Sequence, residues 1–235
     1  MNLGLEFTHV TDAALERFQA LGATTAKVRW PGGIAEIRAA GARRLIVRPG
    51  DDGGGDAAAK AEELMRLVET GLAAGFHDIW VAPGNEPNHP HSEWVEYPEV
   101  WGRHLRAVLE GLSGVNLVSP AMATPHASEA FDAEVRRSTW RARGAHVYWD
   151  SAENLANFYL PRIATLDQPL MVLELGDSSD APWEDKFPLY LRALLGCAAQ
   201  GASDAVLFMV DQDDWRTFWA PVGWCLQLRN ILDGT

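Results

Sequence analysis

The sequence predicts one parallel α/β domain over residues 1–235, closed into a (β/α)8 or TIM barrel. Three observations carry that expectation. Eight short apolar runs alternate with eight segments of helical periodicity, a pattern that implies parallel strands covered by helices. No linker, low-complexity tract or change of composition interrupts the alternation. The length of 235 residues is close to the ~250 typical of eight βα units in one barrel.

The elements follow in order. Leu3 to Phe7 is the first strand, and Thr11-Asp12 cap a helix with Ala14, Leu15, Phe18 and Leu21 on one face, before Gly22. Thr25 to Trp30 is the second strand, closed by Pro31-Gly32-Gly33, and Ile34 to Ala40 a short helix. Arg44 to Arg48 is the third strand. A glycine-rich loop, Pro49 to Gly55, leads to a helix capped by Asp56 and running to about Ala74. Ile79 to Ala82 is the fourth strand, with its helix at Pro98 to Leu112, and Val115 to Ser119 is the fifth. The segment Ser128 to Arg143 is expected to be mainly helical. His146 to Trp149 belongs to strand six, and Glu153 to Leu166 to a helix interrupted near Pro161. Leu170 to Leu173 is strand seven and Trp183 to Gln200 its helix. Ala205 to Val210 is strand eight, and Phe218 to Leu232 the last helix.

The totals narrow the function. A net charge of −12 opposes a nucleic-acid partner, whose phosphates would be repelled, whereas a neutral ligand meets no such barrier. No apolar run reaches the ~18 residues of a membrane span. The opening Met1-Asn2-Leu3-Gly4 shows no signal-peptide pattern, which suits a cytoplasmic protein or one whose leader was removed. Cys197 and Cys225 sit in apolar helical contexts and read as buried thiols. Nothing calls for a cofactor, a metal or a partner subunit, so a monomer is expected. Ten tryptophans exceed what a core of this size needs, and a flat ring with one polar handle suits the apolar face of a sugar.

Two carboxylates occupy equivalent places. Glu86 follows strand four in Pro83-Gly84-Asn85-Glu86-Pro87, and Glu174 follows strand seven before Leu175-Gly176. A closed barrel gathers the ends of its strands in one mouth, so the pair would face each other there. One protonated and one ionised carboxyl group suit glycosidic bond cleavage.

At these motifs the chain resembles the clan A glycoside hydrolases, the retaining (β/α)8 enzymes that include cellulases, mannanases and β-1,3-glucanases. The resemblance implies that Glu86 is the acid/base, that Glu174 is the nucleophile, and that Asn85 hydrogen-bonds the sugar 2-hydroxyl. His146 and Tyr148, two apart on strand six, resemble a His-x-Tyr pair whose tyrosine touches the nucleophile. Arg29 resembles an arginine that keeps the nucleophile ionised. The chain departs from the pattern at Arg48, where many members carry histidine, and at Phe208-Met209-Val210-Asp211, where cellulase-like members carry tryptophan. The expected substrate is a neutral β-linked glucan or oligosaccharide, without a cofactor.

Other residues are weaker candidates. Trp149 and Trp215, with Trp94 and Trp183, lie in or near loops of the catalytic face and could stack on sugar. His126, after strand five, could reach a hydroxyl or the acid/base. His89-Pro90-His91 has the look of a metal pair, but barrel hydrolases draw such a pair from strand one, which here supplies only His9. The rival reading is a catalytically idle barrel that binds carbohydrate or a protein partner, since a fold alone does not give a function.

Overall fold

The structure is a computed structural model that describes residues 1–50, 55–123, 128–166, 169–208 and 220–234. Eight parallel strands form one sheet in the order β5-β4-β3-β2-β1-β8-β7-β6. They are β1 Asn2–Phe7, β2 Thr25–Val28, β3 Arg44–Val47, β4 Asp78–Val81, β5 Asn116–Leu117, β6 Arg143–Trp149, β7 Leu170–Asp177 and β8 Ala202–Leu207. The outer strands meet at a parallel bridge between Val118 and Ala142, where the Ser119 amide donates to the Ala142 carbonyl at 3.0 Å. The sheet thereby curls into the (β/α)8 fold.

The helices are α1 Asp12–Ala20, α2 Ile34–Ala39, α3 Ala57–Ala73, α4 Pro98–Glu110, α5 Glu129–Val135, α6 Ala152–Asn154, α7 Leu160–Ala164, α8 Trp183–Ala199 and α9 Val222–Asp233. Two start where their capping side chains require. Thr11 Oγ1 accepts from the Ala14 amide at 3.2 Å, and Asp56 Oδ1 accepts from the Ala58 amide at 2.8 Å. Between α6 and α7 the chain widens into a π-turn, Leu155–Tyr159, just before Pro161, whose missing N–H disturbs the ladder. Among the described residues no helix is long and apolar enough to cross a membrane.

Two expectations need correction. The stretch Ser128 to Arg143 is helical only over α5. Arg143 already opens β6, and the Trp140 indole N–H folds back onto the Val135 carbonyl at 2.8 Å. Strand seven is also longer than expected and contains Glu174 rather than ending before it.

Alternation sorts the strands into two faces. Residues such as Leu5, Ala26, Leu45, Val147 and Leu207 face the helices and form the large outer core. Inside the barrel, Ile46, Ala82, Val118, Met171, Leu173 and Val206 form a smaller apolar layer. Beneath it Asp204 accepts from Thr25 Oγ1 at 2.6 Å and pairs with Arg44, which reaches Asp78 at 2.7 Å. Above it the interior is charged, and that upper layer forms the mouth. Cys197 and Cys225 are free and buried, as expected.

Candidate active site

Glu174 reaches the mouth through a β-bulge. Met171 and Leu173 point into the barrel, so strict alternation would turn Glu174 outward toward the helices. The register instead slips. Ala145 pairs with Val172 and His146 with Glu174, while on the other side Val172 pairs with Ala205 and Leu175 with Leu207. One extra residue on β7 re-aims the carboxylate inward. Sequence alternation gives no sign of this.

Lys27 waits on the same face of β2, and it was not singled out from the sequence. Its side chain is fully buried, with Nζ 2.5 Å from Glu174 Oε1 and 3.0 Å from Glu6 Oε2. Arg48 on the β3 side lies 3.9 Å from Glu174 and 3.6 Å from Glu6. Arg29 does not touch Glu174. It pairs with Glu6 at 3.1 Å, one step up the same inward row as Lys27. Lys27, rather than Arg29, is the cation of β2 that contacts Glu174, and Arg29 is linked to it only through Glu6. The signal for Lys27 was a lysine inside an otherwise buried strand.

The other glutamate oxygen meets β6. The Tyr148 hydroxyl donates to Glu174 Oε2 at 2.5 Å, and His146 Nδ1 lies 3.5 Å from the same atom. Burial opposes ionisation of Glu174, but the electrostatic influence of His146, Lys27 and Arg48 outweighs it and holds its carboxyl well below the usual carboxylate range. Burial first, and then the charges of Glu174, Glu86 and Glu6, push the Tyr148 hydroxyl well above its usual range, so it stays a donor.

Glu86 sits on the loop after β4, with φ of 38°. That left-handed backbone is unusual for a residue with a side chain, more so before proline. It is held by the Glu86 amide on the Ala121 carbonyl and the His89 amide on the Glu86 carbonyl, both at 2.9 Å. Buried Asn88 clamps the loop by exchanging two 2.8 Å bonds with the Ala123 backbone. The strain sits where the side chain must turn into the mouth. Glu86 Oε1 then lies 2.7 Å from His146 Nδ1. Oxygens of Glu86 and Glu174 and a nitrogen of His146 all lie within 4.8 Å of one another. These are donor types a metal could use, but the Lys27 ammonium against Glu174 repels a second cation there.

Asn85 is half-buried beside Glu86 and makes no side-chain hydrogen bond among the described residues. Phe208, directly after β8, packs edge-on against Tyr148 with centroids 5.5 Å apart, in the stretch where cellulase-like enzymes carry tryptophan. Trp149 does not join the site. It is 1% exposed and faces the helices, because its neighbours His146 and Tyr148 take the inward positions of β6. Its use as a sugar platform is withdrawn on that ground. Trp94 packs on His104 and Trp183 stacks on Tyr190. His126 and Trp215 lie outside the described residues, as do Asp211, Asp213 and Asp214.

Solved structures resemble this fold at low identity. One is an endo-β-1,3-glucanase of GH128 subgroup I from Amycolatopsis mediterranei in complex with laminaritriose. It has 14% identity and a TM-score of 0.63, with 97% of this chain and 98% of that chain covered. Another is the exo-β-1,4-mannosidase Op5Man5 from Opitutaceae bacterium strain TAV5, with 13% identity, a TM-score of 0.67 and 98% of this chain against 59% of that one. A third is an oligosaccharide-binding protein of GH128 subgroup VII from Trichoderma gamsii, with 13% identity, a TM-score of 0.60, and coverages of 100% and 95%. No protein-family profile matches the chain. No curated protein matches it by sequence.

Proposed function

We propose that this protein is a retaining β-glycosidase acting on neutral β-linked gluco- or manno-oligosaccharides. The observation that carries the reading is the pairing of two unlike glutamates. Glu174 is buried and held ionised by cations, while Glu86, with an oxygen within 4.8 Å of it, sits on a partly open loop. Oxygens that close suit the ~5–5.5 Å carboxyl separation of retaining enzymes and leave little room for the water an inverting enzyme needs.

In this reading Glu174 attacks the anomeric carbon as Glu86 gives its proton to the leaving oxygen. The resulting ester neutralises Glu174. Glu86, now ionised, takes a proton from water, and that water releases the sugar from Glu174 while the carboxylate re-forms. Tyr148 fixes the orientation of the nucleophile, and Lys27 and Arg48 stabilise its charge. His146 holds Glu86 in place. Asn85, Arg29 and His146 are assigned to contact sugar hydroxyls, with His126 and Trp215 as further candidates. The fold-level likeness to glucanases and a mannosidase supports the substrate class by analogy only.

The test is a panel of laminari-, cello- and manno-oligosaccharides with proton NMR of the first product. Release of the β-anomer is expected. An α-anomer from a β-linked substrate would mean inversion. The likeness to an oligosaccharide-binding barrel gives a second reading, that of a binder without turnover. Tight binding with no product from any substrate would establish that reading instead.

A further inference from the structure

Beside the mouth lies a groove that the catalytic residues do not use. It runs between the loops after β1 and β2, encloses about 570 Å³, and is lined by Thr8, His9, Asp12, Glu36 and Trp30. Its volume is in the range of small-ligand sites. Trp30 is 49% exposed, an unusual fraction for the largest apolar side chain when a core is available. It directly follows Arg29, which pairs with Glu6, the carboxylate that shares Lys27 with Glu174, so the groove adjoins the charged layer on the β1–β2 side.

Two glycines shape this groove. A side chain at Gly50 would put its first carbon 2.4 Å from the Trp30 ring, so the indole lies against bare backbone at the end of β3. At Gly33, where φ is 82°, the same carbon would fall 2.3 Å from Val10, so the two loops approach as only glycine allows. The indole is therefore supported from one side and open on the other. Around it stand hydroxyl, imidazole and carboxylate groups, with no lysine or arginine among the residues that line the groove. A flat apolar surface ringed by hydrogen-bonding groups suits the alternating apolar and hydroxyl faces of a sugar. The carboxylates of Asp12 and Glu36 repel uronate, sulfate or phosphate groups.

We infer that this groove binds the neutral glycosyl units that precede the cleaved bond, stacked on Trp30. The side follows from the acid. Glu86, after β4, protonates the leaving part of the substrate, so that part departs toward β4. Trp30 lies beyond the nucleophile's cations on the β1–β2 side, where the retained part of the chain must run. The inference rests on the glycosidase reading, and its consequence is a preference for chains of two or more units on the retained side.

The experiment uses aryl β-glycosides that share one leaving group and carry one, two or three sugars before it. The wild-type protein should show kcat/KM rising with length. In Trp30→Ala the loss should grow with each added unit and reach about 10-fold or more on the longest substrate. Trp30→Phe should restore most of it. A loss equal at every length, or none, overturns the inference. If the wild type cleaves none of these substrates, the glycosidase reading fails separately. Calorimetry with trisaccharides then decides the groove: weaker binding by Trp30→Ala supports it, and equal affinity refutes it.

Discussion

The barrel interior carries buried charge at both ends, and the two ends are built differently. At the lower end Asp204 is met by Asn2, Thr25, Ser203 and Arg44, and Arg44 by Asp204 and Asp78. One arginine there serves two carboxylates, so acids are in excess. At the mouth the ions are also shared, but with cations in excess of Glu6 and Glu174. Lys27 serves two carboxylates, and Glu174 is approached by Lys27, Arg48, His146 and Tyr148. Lys27, Arg29 and Arg48 outnumber Glu6 and Glu174, which favours a carboxylate that stays ionised although buried. The same residue types thus fix the shape of the barrel below and set a protonation state above.

The sharpest way to separate the ends is to remove Glu174, the proposed nucleophile. Glu174→Ala is expected to lower kcat about 10⁴-fold or more. Azide, entering the vacated space, should restore part of the activity and give the α-glycosyl azide. Glu86→Ala should lose about 10²–10⁴-fold on substrates whose leaving group needs a proton. It should still form the glycosyl-enzyme from a dinitrophenyl glycoside, and azide should then yield the β-glycosyl azide. Opposite anomers in the two variants would exchange the roles given to Glu86 and Glu174.

The next contrast pairs Lys27→Met with Asp204→Asn. Both break buried ion pairs, a change that commonly costs about 3–5 kcal/mol of stability. They should differ in the fraction that stays folded. Asp204→Asn should keep its activity per folded molecule, whereas Lys27→Met should lose activity and change its pH profile. The carboxyl of Glu174 is held well below the ordinary range, so its stabilising contribution is present above the unfolded value of about 4.3 and is lost as pH falls toward the folded one. The acid limb of kcat/KM set by Glu174 should therefore lie well below the ordinary carboxylate range. Without Lys27, burial gains weight and that limb should move up. An unmoved limb in Lys27→Met would make the lysine a structural ion like those below.

How much of this was legible follows from the physics of each element. The alternation of apolar strands and amphipathic helices is written in periods of two and 3.6 residues, so the barrel could be read directly. Glu86 was marked by Pro83-Gly84 and the end of a strand. The sequence places Glu174 at the end of strand seven but not its inward direction, which depends on a bulge between β7 and its neighbours, a property of pairing rather than of local sequence. Lys27 is marked in the sequence as a lysine inside an apolar strand, but its role is not, because its partners Glu6 and Glu174 come from distant strands. Trp149 was misplaced although the signal was present. Once His146 and Tyr148 face the mouth, period two sends Trp149 the other way. Trp30 reads as the end of strand two in the sequence, whereas β2 ends at Val28 and the indole lies half-exposed against Gly50.

The smallest expected effect tests that last assignment on β6. The Trp149 indole N–H donates to Asp177 Oδ2 at 2.8 Å, and its ring meets Tyr190 edge-on with centroids 5.1 Å apart. Tyr190 in turn accepts from the Asp177 amide at 3.2 Å, so the three side chains brace the end of β7 against α8. Trp149→Phe keeps an aromatic ring and removes one donor to a buried carboxylate. Asp177 retains Ser179, whose amide and hydroxyl donate at 2.9 and 2.6 Å, so the loss should be about 1–2 kcal/mol. Thermal unfolding should show that loss as a lower Tm. Tyr148, the neighbour that holds Glu174, is fixed from the opposite face by Phe208, so kcat/KM of the folded enzyme should change less than about twofold. A raised KM at unchanged Tm would place Trp149 against the sugar after all, and would require β6 to twist so that its outward row reaches the mouth.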